Sequence, residues 1–252
     1  MRDLFSFRCA WGGGSRDHAE CPPKRASPED LRPGPGSGRV EKVKSVGTGV
    51  GDFFDLLGQG HEQLFESVKE VWDILPRIAP YLEKHLPQGS KGKRVGEPVI
   101  GENVFLGEGT IVEPGAYIRG PAWIGKNCEI RHGAYLRENV IAGDNCVLGN
   151  SSEFKNCVLL SGAHAPHFNY VGDSVLGRDV NLGAGVILSN YRLDGQVIRV
   201  RREGHLVETG LRKFGAMVGD GASVGCNAVL NPGSLVAKKA KILPGTIWST
   251  KG

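Results

Sequence analysis

Between Val99 and Ile247, aliphatic residues return at every sixth position. Ile100, Leu106, Val112, Ile118, Ile124, Ile130 and Leu136 hold one register, which Ala142, Leu148 and Phe154 continue. Four residues after each comes a small side chain: Val104, Thr110, Ala116, Ala122, Cys128, Ala134, Val140, Cys146 and Ser152. A second register holds Leu176, Leu182 and Leu188, and a third runs through VGDGASVGCNAVLNPGSLV. A period of six is neither the 3.6 of a helix nor the 2 of a strand. It fits a three-sided coil in which each side is a short strand and each corner a turn. The aliphatic residue points inward, the small one fits beside it, and Gly or Asn accepts the corner dihedrals. The pattern therefore predicts an all-β fold, a left-handed parallel β-helix of about seven coils over 99–252. Cys128 and Cys146 fall in the small-residue slots and read as inert core packing.

Ahead of the coils the pattern changes twice. Over 52–86, Leu64, Val68, Val71, Leu75, Ile78 and Leu82 recur at three- and four-residue spacing, the stripe of an amphipathic helix. Pro76 and Pro80 interrupt it, so two short helices are expected, covering one end of the coils within a helical segment and linker at 48–98. Residues 1–47 have no periodicity and contain RPGPGSGR, which reads as a disordered tail.

Composition narrows the function classes. The 252 residues carry 31 Lys and Arg against 27 Asp and Glu, a formal charge of +4. Nine of those basic and six of those acidic residues lie in 1–47, so the coils are nearly neutral and offer no basic face for nucleic acid. Glycine is the outlier at 38 residues, about twice the usual ~7% share, as many tight corners require. Apolar runs fall short of the roughly 18–20 residues of a membrane span, and the N-terminus lacks a signal-peptide pattern. Six cysteines without zinc-type spacing point to free thiols and a cytoplasmic setting.

The register breaks at SGAHAPHFNYVGD (161–173) and again over 190–217, where an insertion at 192–212 carries a hairpin-like alternation turning at Gly204. Breaks in a repeat escape the stacking constraint and are natural places for function. The ordered polar residues there, EFKN, HFNYVGD, NLGAG, SNY and KFGAMVGD, resemble the acetyltransferase half of bacterial bifunctional N-acetylglucosamine-1-phosphate uridylyltransferase/glucosamine-1-phosphate acetyltransferases. They are similar also to the matching part of archaeal sugar-1-phosphate nucleotidylyltransferase/acetyltransferases.

The resemblance covers roughly 99–247 and implies acetyl-CoA as co-substrate, an amino-sugar 1-phosphate as acceptor and a homotrimer, with no metal in the protein. It implies Arg137 and Lys155 as the phosphate clamp and His167 as the catalytic base. Tyr170, Asn181 and Lys213 line the substrate, and Asn190 lies beside its amine. Ala184 and Cys226 face the cofactor, Cys226 standing where the family has a serine. Two features depart from the family. The nucleotidyltransferase loop LxxGxGTR has no counterpart, so nucleotidyl transfer is not expected of this chain. The family's short NYDG connection is replaced by the insertion, with Arg199, Arg201 and Arg202 along it.

The chemistry stands without the resemblance. Acyl transfer to an amine needs the amine deprotonated, and a histidine suits that proton transfer near neutral pH. The tetrahedral intermediate needs N–H donors, which an Asn amide or a Gly-rich corner supplies. The phosphate needs Arg and Lys. Glu153, flanking Lys155, is a candidate to orient the imidazole, whereas His164 reads as structural or exposed. Three alternatives compete: an acyltransferase for a nucleotide-linked or other amino sugar, a non-catalytic scaffold, and a zinc carbonic anhydrase built on His132, His164 and His167.

Overall fold

The computed structural model describes residues 47–249, and their inward slots are filled as the six-residue pattern requires. Ile118, Ile124, Ile130, Leu136, Leu148 and Phe154 are fully buried in one continuous core that runs the length of the stack. Burying each such side chain contributes about 1.5–3 kcal/mol. The strands pair in parallel with the coils above and below, as in Tyr117–Ile118 on Tyr135–Leu136. They stack 8 deep on the first face, from Lys93–Arg94 to Lys241–Ile242, and equally deep on the second, from Val99–Ile100 to Ile247–Trp248. The third face, from Val104–Leu106 to Ser234–Val236, lacks a strand in the last coil. The β-solenoid thus has slightly more turns than the seven expected, because its first coil opens at Lys93 within the segment read as linker.

The corners carry the left-handed backbone that the Asn and Gly residues foreshadow. Asn103, Asn127, Asn139, Asn145, Asn156 and Asn227 all have φ between 45° and 62°. Asn tolerates this region because its short side chain bonds locally.

The segment 161–173 is not an excursion from the wall. His164–His167 and Tyr170–Leu176 are strands in the stack, and Ala165, Val171 and Leu176 are buried. The register slips because two corners are one residue short, with inward positions stepping from Phe154 to Leu159 and from Val171 to Leu176. The coils here therefore advance by seventeen residues, as the pairings Val147 with His164 and His164 with Asn181 record.

The helical segment forms four short pieces rather than two: Val50–Phe53, Glu62–Phe65, a 3₁₀ turn Val71–Arg77 and the α-helix Ile78–His85. Pro76 lies in the 3₁₀ turn, and Pro80 in the first turn of the helix, where its missing N–H costs nothing. These pieces cover the side of the stack, not its end. The outward residues of the third face, including Ile141, Val158, Val175, Met217 and Leu235, form a second core with Phe53, Trp72, Ile74 and Ile78. The buried carboxylate of Asp220 pins the cover by accepting from the backbone N–H groups of Asp55 and Arg178.

The 192–212 excursion has its neck at an antiparallel bridge between Tyr191 and Lys213. Its strands Arg199–Arg202 and His205–Glu208 turn through Glu203 and Gly204, both at positive φ, the tight two-residue turn that favours glycine. Ile198 and Val200 are buried in the second core, and Arg202 pairs with Glu70 of the cover. Arg199 and Arg201 remain exposed. The tail at 1–47, save Gly47, lies outside the described residues.

Candidate functional site

Seventeen-residue coils place Asn156, Asp173 and Asn190 at the same corner of three successive turns. Asp173, at φ 45°, is only 4% exposed. Its Oδ1 accepts from Asn156 Nδ2 at 3.0 Å and lies 3.6 Å from Lys155 Nζ, while Oδ2 accepts from Asn190 Nδ2. The same Asn190 nitrogen donates to the Tyr170 hydroxyl at 3.2 Å. Gly172 forms the floor between them. A Cβ there would stand 2.6 Å from Tyr170 Oη and 2.8 Å from Asn190 Nδ2, so only glycine leaves this pair its room.

Arg137 and Glu153 lie on the same face, beside Tyr170. Arg137 Nη1 donates to Glu153 Oε1 at 3.1 Å, and Nη2 lies 3.6 Å from Glu138. That hydrogen bond, with the nearby carboxylates, pushes the Arg137 pKa up further, so the guanidinium is a permanent charge. Glu153 is therefore engaged with Arg137 rather than with a histidine. Burial, with Glu153 nearby, pushes the Tyr170 phenol up, which keeps it a protonated donor. The sequence-selected Arg137, Lys155, Tyr170, Asn190 and Glu153 thus come together around Gly172.

His167 sits one corner earlier, at the end of its strand, with an exposed ring. Its position is set from below by Asn169, which is 2% exposed. Asn169 Oδ1 accepts from His167 N at 3.1 Å, and its Nδ2 donates to Gly183 O at 2.8 Å. The His167 carbonyl accepts from Gly185 N at 3.0 Å, which ties it to the turn that holds Ala184. The exposed Cys226 occupies the matching corner one coil on, where Asn227 N donates to Ala184 O. Asn181 is exposed on the first face, paired with His164 and Ser223. Lys213 is exposed at the neck of the excursion. His167, Asn181, Ala184 and Cys226 form this second group, and no hydrogen bond among the described residues joins it to the first.

A cavity of about 490 Å³ opens beside the neck, lined by Ser189, Tyr191, Arg192 and Asn231 among others. His132, by contrast, has its ring bonded to Pro114 O at 2.7 Å. Among the described residues no cluster of three His, Cys, Asp or Glu could hold a metal, and no helix is long and apolar enough to cross a membrane. Sequence reasoning missed Asp173, Asn156 and Asn169. The available signal was the Gly172–Asp173 pair, whose partners become visible only once the coil length is known.

Comparison with known proteins places these corners in context. Residues 118–211 match the family described as the GMPPB C-terminal domain. A bifunctional sugar-1-phosphate nucleotidylyltransferase/acetyltransferase of Sulfurisphaera tokodaii is 39% identical over 100 residues, 40% of this chain and 25% of the relative. The bifunctional protein GlmU of Methanocaldococcus jannaschii is 34% identical over 178 residues, 71% of this chain and 43% of the relative. That of Alkalilimnicola ehrlichii is 36% identical over 195 residues, 75% of this chain and 38% of the relative. The chain spans less than half the length of these curated relatives.

Proposed function

We propose that this chain, whose coils are homologous to those of bifunctional sugar-1-phosphate nucleotidylyltransferase/acetyltransferases, is an acetyl-CoA-dependent N-acetyltransferase acting on an amino-sugar 1-phosphate. The observation that carries the reading is the gathering of Arg137, Lys155, Tyr170 and Asn190 around Gly172, one corner from an exposed His167. Arg137 and Lys155 take the sugar phosphate. In this structure each faces a carboxylate, and the phosphate replaces Glu153 as the partner of the part-exposed guanidinium. Tyr170, Asn181 and Lys213 position the sugar. The cavity at the neck of the excursion leaves room for the remainder of the acceptor, so the 192–212 segment sets which amino sugar enters.

In the reaction His167 removes the proton as the amine attacks the thioester carbonyl, the C–N bond forms, and the tetrahedral oxyanion collapses to expel the CoA thiolate, which is protonated. Both N–H groups of Asn190 are spent on Asp173 and Tyr170, so the oxyanion draws its donors from backbone N–H groups of the glycine-rich corners. Ala184 and Cys226 line the thioester side. Val99, Tyr117 and Tyr135 stack as an exposed apolar row on the second face, which supports a homotrimer with sites shared between neighbouring stacks in the cytoplasm.

The test is thiol release from acetyl-CoA with glucosamine 1-phosphate. General-base removal predicts that His167→Ala loses about 10²–10⁴-fold in kcat/KM. Equal rates for wild type and variant would sink the assignment of the base. Silence across a panel of amino-sugar phosphates, with no acetyl-CoA binding by calorimetry, would favour a non-catalytic scaffold.

A further inference from the structure

We propose that Asp173 is a positioning residue of this site: its buried carboxylate locks the Asn190 amide with the oxygen turned outward, as an acceptor for the substrate amine, and holds the Lys155 ammonium beside it. The inference rests on the acyltransferase reading and deepens it.

A carboxylate only accepts hydrogen bonds, so each group that Asp173 touches must present a donor. Asn190 therefore faces Asp173 with its nitrogen, an orientation dictated by chemistry rather than by the resemblance of amide N to O. The second hydrogen of that nitrogen goes to the Tyr170 hydroxyl. Both amide hydrogens are then used, and Oδ1 is the only hydrogen-bonding atom left in the Asn190 side chain. Tyr170, having accepted, keeps its own O–H to donate. The pair thus presents one acceptor and one donor side by side over Gly172, a pattern that fits an amine N–H next to a sugar hydroxyl oxygen.

The rest of the Asp173 shell fixes the carboxylate itself. Asn156 donates to it from the coil before, and Lys155 supplies the countercharge at 3.6 Å. At 4% exposure water does not compete for these bonds, so the arrangement is set before substrate arrives. Without the carboxylate, nothing in this shell prevents the Asn190 amide from flipping and presenting its N–H to the amine, where it would engage the lone pair needed for attack instead of accepting from the amine N–H.

The test uses the full chain. Asp173→Asn keeps the shape but lets the new amide donate to Asn190, turning its nitrogen outward. We expect kcat to fall about 10–100-fold while KM for acetyl-CoA is unchanged. Asn190→Asp alone sets two carboxylates face to face and is equally impaired. The double variant Asp173→Asn/Asn190→Asp restores an outward acceptor and recovers at least tenfold over either single change, which a merely structural corner would not do. Asp173→Asn turnover within about threefold of wild type overturns the inference while leaving acyl transfer intact, and an inactive wild type overturns both.

A readout independent of activity guards against misfolded variants. In ¹⁵N spectra both side-chain N–H signals of Asn190 exchange slowly with solvent in wild type, and at least one exchanges fast in Asp173→Asn. Fast exchange of both in wild type overturns the proposal.

Discussion

His61 joins the helical cover to the coils, and acid should loosen that joint. The residue is 5% exposed, packs edge-on against Trp123 with ring centroids 4.6 Å apart, and shares a hydrogen bond of 3.1 Å with the Tyr81 hydroxyl. Burial lowers its pKa to about 4 from 6.5, against the weaker opposing pull of Glu62 and Asp144. The folded protein therefore keeps His61 neutral at a pH where the unfolded chain binds a proton. Its contribution to stability is complete above pH 6.5 and is lost as pH falls from there through about 4. Between about pH 7.5 and pH 5 the loss amounts to about 2 kcal/mol, approaching roughly 3 kcal/mol below pH 4. Urea unfolding of wild type and His61→Gln, followed by tryptophan fluorescence across this range, isolates the effect, because other titrating groups are common to both proteins. The stability difference between the two proteins should shift by about 2 kcal/mol in favour of the variant on going to pH 5. A difference that does not change with pH would refute the reasoning.

Two further outcomes follow from the site. Gly172→Ala places a methyl group against the movable ends of Tyr170 and Asn190, so the fold survives with little change in Tm while kcat falls about tenfold. A variant with unchanged kcat would mean that the Tyr170–Asn190 pair is not where the acceptor binds. Among the four described cysteines only Cys226 is exposed, so native alkylation followed by peptide mapping should label Cys226 and spare Cys128, Cys146 and Cys157. Acetyl-CoA should slow that labelling, and no protection at saturating acetyl-CoA would remove Cys226 from the cofactor site.

The coils were legible because the centre of a β-solenoid admits little variety: one inward slot of each side must be a large apolar residue and its neighbour a small one, so the six-residue period survives whatever the outside does. Where that constraint lapses, so does the signal. Lys93–Arg94 opens the stack with an exposed pair and shows no aliphatic register. A template of fixed phase also registered two shortened corners as a break, although Phe154, Leu159 and Ala165 kept the wall intact. The side cover left a mark that simple periodicity overlooks. Ile141–Ala142, Val158–Leu159, Val175–Leu176, Met217–Val218 and Leu235–Val236 are apolar doublets, as expected of strands buried on both sides. Within the site, residue types were enough to select Arg137, Lys155, Tyr170 and Asn190. Their partner Asp173 was not evident, since its neighbours lie seventeen residues away on either side and meet it only after the coil closes.

The most direct measurement of the central claim follows product and thiol together. The chain is incubated with acetyl-CoA and glucosamine 1-phosphate, and the sugar is examined by mass spectrometry while CoA thiol is counted. The account predicts N-acetylglucosamine 1-phosphate in equal amount to the thiol released, with both lost in His167→Ala. Thiol release without an acetylated sugar, or neither product from a chain that binds both substrates, would contradict it.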